Sequence, residues 1–185
     1  MGFGKLSPAQ ENAIRPLVAG KVVHDLGAGD ERLAYKLVQL GAGRVIAIDV
    51  ASWNKHPPRH PAIVRRCQDF ADFRGRASRV FLSWPDEVPS PDLLRIVKCA
   101  SLVVYLGKTT DGTMCGWPDL FRGFAGREIL RHLPERQNTL TCYGRRQLSR
   151  LMTGEEYAGI FLDTCLGFEE AEELAGLAVP VRAAR

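Results

Sequence analysis

An acid followed by two closely spaced glycines, near the front of the chain, forms the grouping best suited to chemistry. The segment Val22-Val23-His24-Asp25-Leu26-Gly27-Ala28-Gly29-Asp30 runs from an apolar stretch into Asp25, then into two glycines around one small residue. Glycines at such a turn let a ligand lie against bare backbone, where a side chain would hold it off. About 20 residues further on, the apolar run Arg44-Val45-Ile46-Ala47-Ile48 ends in Asp49, an acid placed to accept the two hydroxyls of a ribose. A turn that binds pyrophosphate carries a third glycine, which here would fall at Arg32. Asp30 and Glu31 would also repel a phosphate at the N-terminus of the helix that follows. The spacing therefore favours a nucleoside without phosphate, carrying positive charge.

S-adenosylmethionine (SAM) has those properties, and its ammonium is one that Asp25 can approach through water. At this point the chain resembles the Rossmann-like (class I) SAM-dependent methyltransferases. The resemblance is carried by Asp25-Leu26-Gly27-Ala28-Gly29, Asp49, Gln68-Asp69-Phe70 and Ser83-Trp84-Pro85, in that order, over roughly residues 20 to 145. It implies that Gly27, Ala28 and Gly29 surround the methionine part and that Asp49 holds the ribose. It further implies that Asp69 accepts from the adenine amino group and that the Phe70 amide meets a ring nitrogen. The chain departs from the family at Glu31, where many members have a third glycine.

Methyl transfer from a sulfonium needs a positioned nucleophile and, for some acceptors, removal of a proton. In this family the end of the fourth strand faces the methyl group, and here it reads Ser83-Trp84-Pro85-Asp86. Ser83 can accept a hydrogen bond and Trp84 offers a stacking face, which makes them the candidate catalytic pair, with Ser83 also a candidate cofactor contact. Amino-methylating relatives place the aromatic after two prolines, so the order here differs. The polar loop from Lys108 to Gly116 follows an apolar strand, with Tyr105, Lys108 and Asp111 as candidate substrate contacts. Cys115 in that loop has no evident activating base.

These residues need elements to position them. Ser7-Pro8-Ala9-Gln10 has the form of a capping box and opens a helix expected to end or kink near Pro16. Strands are expected at about 21–26, 44–48, 62–66, 79–83, 101–106 and 138–143, with helices at 30–41, from Ser90-Pro91, and from Trp117-Pro118 through Leu130. Asp30 is placed to cap the first crossover helix. A seventh, antiparallel strand is expected near Leu177 to Val181. The fold class is α/β: a doubly wound, mostly parallel seven-stranded sheet with helices on both faces. Gly27, Asp49, Asp69, Ser83 and Gly107 then fall at C-terminal strand ends, on one rim.

The length of 185 residues fits one domain, with residues 1–19 as an N-terminal helical extension, 20–145 as the core and 146–185 as a closing segment. No apolar run approaches the roughly 20 residues that span a bilayer, and the N-terminus lacks the apolar core of a signal peptide. Five scattered cysteines without a Cys-x-x-Cys pair read as free thiols in a reducing cytoplasm. Pro57 and Pro58 between His56 and His60 argue against a helical metal site, and no metal is expected. Net charge is only +4, but arginines from Arg122 to Arg150 precede an acidic block from Glu155 to Glu173. The basic stretch either faces nucleic acid or an acidic protein surface, or pairs with the acidic block. Three functions stay open: a SAM-dependent methyltransferase, a catalytically silent SAM-binding or partner-binding subunit of the same fold, and a nicotinamide oxidoreductase.

Overall fold

A computed structural model describes residues 6–50, 57–85, 90–107, 127–133 and 139–146. The described elements, in chain order, are α1 (Pro8–Val18), β1 (Val22–Leu26), α2 (Arg32–Gln39), β2 (Arg44–Asp49), β3 (Ile63–Cys67), a 3-10 turn (Phe70–Asp72), β4 (Arg79–Ser83), α3 (Pro91–Cys99), β5 (Leu102–Gly107), β6 (Arg127–Leu133) and β7 (Thr139–Arg146). The strands form one sheet in the order β3-β2-β1-β4-β5-β7-β6. The first five are parallel; β7 runs antiparallel to both neighbours. Strand order reverses between β1 and β4, so their C-terminal ends splay a crevice there.

Alternation along each strand sends side chains to two cores. In β5, Leu102, Val104 and Leu106 join Ile14 and Val18 of α1 and Leu33 and Leu37 of α2 on one face. Val103 and Tyr105 join Phe73 and the α3 residues Leu93, Ile96 and Val97 on the other. Ser7 closes the expected capping box: its hydroxyl accepts from the Gln10 amide at 3.3 Å, and Gln10 Oε1 accepts from the Ser7 amide at 3.1 Å. Helix α1 nevertheless continues past Pro16 to Val18. Burial of Val18 and the 3.0 Å bond from the Ala19 amide to the Arg15 carbonyl hold the last turn despite the bond that proline removes.

The start of α2 also departs from expectation. Its N-cap residue is Glu31, with no side-chain cap, and Asp30 instead accepts from the Arg32 amide at 3.2 Å and pairs with the Arg32 guanidinium at 2.7 Å. A missing cap costs about 1 kcal/mol, whereas burying Leu33 and Leu37 contributes roughly 2–3 kcal/mol each, so packing decides.

Two corrections concern the far edge of the sheet. Arg127–Leu133 is strand β6, so Ile129 and Leu130 do not continue a helix. Register shifts between Arg127 and Ile129 and between Ile129 and Arg131 break the two-residue alternation, which is why its apolar spacing imitates a helix. Thr139–Arg146, expected as a sixth strand, is β7 and takes the antiparallel place between β5 and β6. The expected strand at Leu177 to Val181 lies outside the described residues.

Buried Arg127 ties this edge to α3. Its guanidinium donates to the carbonyls of Gly144 (2.9 Å), Val97 (2.7 Å) and Ala100 (2.8 Å), with a longer bond to Lys98 (3.4 Å). A cation at the carbonyl end of a helix is electrostatically well placed.

Candidate cofactor site

The crevice between β1 and β4 holds a cleft of about 480 Å³, within the usual range for small-molecule sites. Its walls carry two acids, Asp49 and Asp69, and no lysine or arginine among the described residues. Gly27, Phe70, Ser83 and Trp84 line it as well. Five residues named from sequence as cofactor contacts, Ser83 among them, and the other candidate catalytic residue, Trp84, thus share one cavity.

The glycine turn is built for close approach. Gly27 (φ 74°) and Gly29 (φ 51°) are left-handed, and a Cβ on either would meet no protein atom within 4 Å. The space over these residues is therefore open to a ligand. The amides of Gly27 and Ala28 donate to the Ile48 carbonyl at 2.9 and 3.1 Å, which fixes the turn against β2. Asp49 Oδ2 accepts from the Gly29 amide at 2.8 Å. That amide is the donor a pyrophosphate would use, and here a carboxylate occupies it.

Asp25 is fully buried and does not line the cleft. Neither of its carboxyl oxygens has a hydrogen-bond partner among the described residues. Burial first, then the nearby charges of Asp49 and Glu31, push its pKa from 3.8 up to about 7. Asp69 accepts from the Ala71 amide at 3.0 Å and so caps the 3-10 turn while facing the cleft.

Glu31 stands where the family's third glycine falls, and its backbone explains that glycine: φ is 64°, a conformation that penalises side chains. Its carboxylate is buried and paired with Arg65 of β3 through Nε and, at 2.8 Å, through Nη2. The Arg65 guanidinium, its pKa raised by the hydrogen bond it donates to Glu31, also donates to the Pro57 carbonyl at 3.0 Å. The charge of Glu31 is thus compensated, and that of Asp30 is paired with Arg32, so the repulsion of phosphate rests on Asp49. Sequence reasoning missed this pair; the absent glycine was the signal.

Trp84 is the other non-glycine residue with positive φ among the described residues, at 51°. Its amide donates to the Leu106 carbonyl at 2.8 Å, extending the β4–β5 ladder, while the ring packs beside the core and borders the cleft. Strained backbone of this kind concentrates at functional sites. Gln68 and Val50 also line the cleft, and neither had been given a role from sequence. Gln68 Nε2 is buried without a partner among the described residues.

Tyr105 does not reach the cleft. It is 1 % exposed and packs in the α3-side core, apart from the residues that line the cleft. Lys108, Asp111 and the rest of the Lys108 to Gly116 loop lie outside the described residues, as do Arg122, Arg136, Arg150 and the acidic block. Arg127, counted in the basic stretch, is committed to backbone carbonyls and unavailable to an anionic partner. His60 Nδ1 accepts from the Ala62 amide at 3.1 Å. Among the described residues no helix is long and apolar enough to cross a membrane.

No protein-family model and no curated protein matches the chain. Solved structures do. The ribosomal protein L11 methylase of Lactobacillus delbrueckii subsp. bulgaricus is similar with a TM-score of 0.54 and 18 % identity, over 78 % of this chain and 81 % of that one. Magnesium protoporphyrin IX methyltransferase from Synechocystis PCC 6803, with bound S-adenosylhomocysteine, is similar with a TM-score of 0.53 and 16 % identity, over 78 % and 90 %. The 1,6-didemethyltoxoflavin-N1-methyltransferase of Burkholderia thailandensis, also with S-adenosylhomocysteine, gives 0.52 and 15 %, over 75 % and 80 %. Strand order, glycine turn and cleft position define the class: the chain has the Rossmann-like fold of the SAM-dependent methyltransferases.

Proposed function

We propose that the protein binds SAM in the β1–β4 cleft and transfers its methyl group to an acceptor, an amine of nucleic acid or protein being the favoured kind. The observation that carries the reading is an acid-walled cleft at the strand-order reversal whose Gly29 amide is already taken by Asp49. That amide is closed to a phosphate, while a sulfonium nucleoside finds carboxylates.

In this reading Gly27, Ala28 and Gly29 give room to the methionine part. Asp49 accepts from the ribose hydroxyls. Asp69 and the Phe70 amide read the adenine edge, with Gln68 a further donor on the same wall. Asp25 supplies negative charge beneath the turn. Ser83 and the Trp84 ring hold the acceptor beside the methyl group, and Lys108 and Asp111 contact it from the following loop. SAM brings an activated methyl group; the protein's work is to orient the acceptor and exclude water. The scattered cysteines suit a reducing, cytoplasmic setting, and Cys99 and Cys142 are free thiols.

The three similar enzymes are named for a ribosomal protein, a porphyrin and a small heterocycle, so the fold leaves the acceptor to the loops. A silent subunit is the second reading, favoured by the order Ser83-Trp84-Pro85, in which the aromatic precedes the single proline. Calorimetric titration with SAM and with NAD, followed by labelled methyl transfer to DNA, RNA, protein and metabolite fractions, separates the readings. The proposal requires SAM binding and a labelled fraction. Binding without any labelled acceptor supports the silent subunit, and tight binding of NAD alone refutes both.

A further inference from the structure

The glycine turn rests on several carboxyl groups, one of them sealed away without a partner among the described residues. Glu31 from the turn and Asp49 from the tip of β2 act on Asp25 of β1, and Arg65 of β3 pairs with Glu31. Asp25 is the member with nothing to hold it. It is sealed from solvent, and both oxygens lack partners among the described residues. An ionised carboxylate in that position carries an uncompensated desolvation cost. It can lower that cost by taking a proton or by receiving a positive charge nearby. The open space above Gly27 and Gly29 is where that charge would arrive.

We propose that Asp25 is protonated in the empty protein and gives up that proton when a sulfonium nucleoside settles over the glycine turn, so that the residue distinguishes charged cofactor from uncharged product. It acts through the field and not by contact, since it does not line the cleft. The proposal rests on the SAM reading above. SAM carries a sulfonium, an ammonium and a carboxylate, a net single positive charge. S-adenosylhomocysteine lacks the sulfonium charge and leaves Asp25 with less reason to ionise. Asp49 and Glu31 oppose ionisation of Asp25, and Arg65 offsets Glu31. The raised pKa of Asp25, about 7, places the exchange near neutrality.

The test is proton release on binding, measured by calorimetry of the full chain in phosphate and in Tris, whose ionisation heats differ. The ligand's own amino group titrates near the same pH, so the informative quantity is the difference between wild type and Asp25→Asn. Wild type should release up to about half a proton more per SAM bound at pH 7 than the variant does. Its preference for SAM over S-adenosylhomocysteine should rise about fivefold from pH 6 to pH 8, for a one-unit fall in the pKa on binding, and stay flat in the variant. If Asp25→Asn fails to fold, Asp25→Ala takes its place in the same comparison with wild type. Equal proton release in both proteins, or a preference that does not change with pH, overturns the inference while leaving the cofactor assignment intact. Absence of SAM binding at every pH overturns the cofactor assignment itself.

Discussion

Replacing Asp25 by asparagine should stabilise the empty protein, and by an amount that grows with pH. The carboxyl loses its proton near 3.8 when the chain is unfolded and holds it to about 7 when folded. Between those values the native state binds more protons, so wild-type stability falls as pH rises through the window and levels off above it. One unit of pKa shift corresponds to about 1.4 kcal/mol, and a rise of roughly three units amounts to about 4 kcal/mol lost above neutrality. Near pH 5 only the first unit or so has been lost. Asparagine has nothing to titrate, is close in size, and breaks no hydrogen bond of the carboxyl oxygens among the described residues. Urea denaturation should therefore show the variant ahead of wild type by about 3 kcal/mol more at pH 8 than at pH 5. In thermal melts the advantage at pH 8 should be on the order of 10 °C. Equal differences at the two pH values, or a variant less stable than wild type at pH 8, would refute the claim that Asp25 is a charge the fold tolerates without compensation.

Further outcomes follow from the same geometry. Asp49→Ala should weaken SAM binding by about 1–3 kcal/mol, because it removes the ribose acceptor and the brace on the Gly29 amide; calorimetry showing unchanged affinity would contradict both roles. Gly27→Val should fold, since a Cβ there meets no protein atom within 4 Å, at a conformational cost of about 1–2 kcal/mol. It should nevertheless bind no SAM, and normal affinity in a folded Gly27→Val would remove the argument for close backbone approach. Arg127→Met should destabilise the fold by about 3 kcal/mol or more, because buried carbonyls at the end of α3 and in β7 lose their donor. Chemical denaturation measures this, and a change below about 1 kcal/mol would mean those carbonyls find other partners.

The parallel half of the sheet was open to reading because its signals are local. Val22–Leu26 and Leu102–Gly107 are apolar runs bounded by glycine or charge, and the Ser7 and Ser90 caps announce the helices they start. Asp49 and Asp69 were found because a strand tip and a turn fix where their carboxylates stand. The distant edge resisted because its structure is decided by pairing. Bulges in Arg127–Leu133 destroy the alternation a strand would show, and only β7 alongside makes that segment extended. The Glu31–Arg65 pair was hidden for a similar reason: 34 positions separate its members, and only the parallel register of β2 and β3 brings them together. Tyr105 sits on a strand whose every residue is buried, so sequence gave no sign of which face it would take.

The left-handed Glu31 constrains how this chain can change. Swapping in glycine alone would relax the torsion yet take away the carboxylate with which Arg65 pairs. Losing Arg65 alone would leave a sealed carboxylate facing Asp25. Positions 31 and 65 are therefore locked into joint replacement, and any evolutionary route toward the commoner three-glycine turn must pass through both at once or through a less stable intermediate.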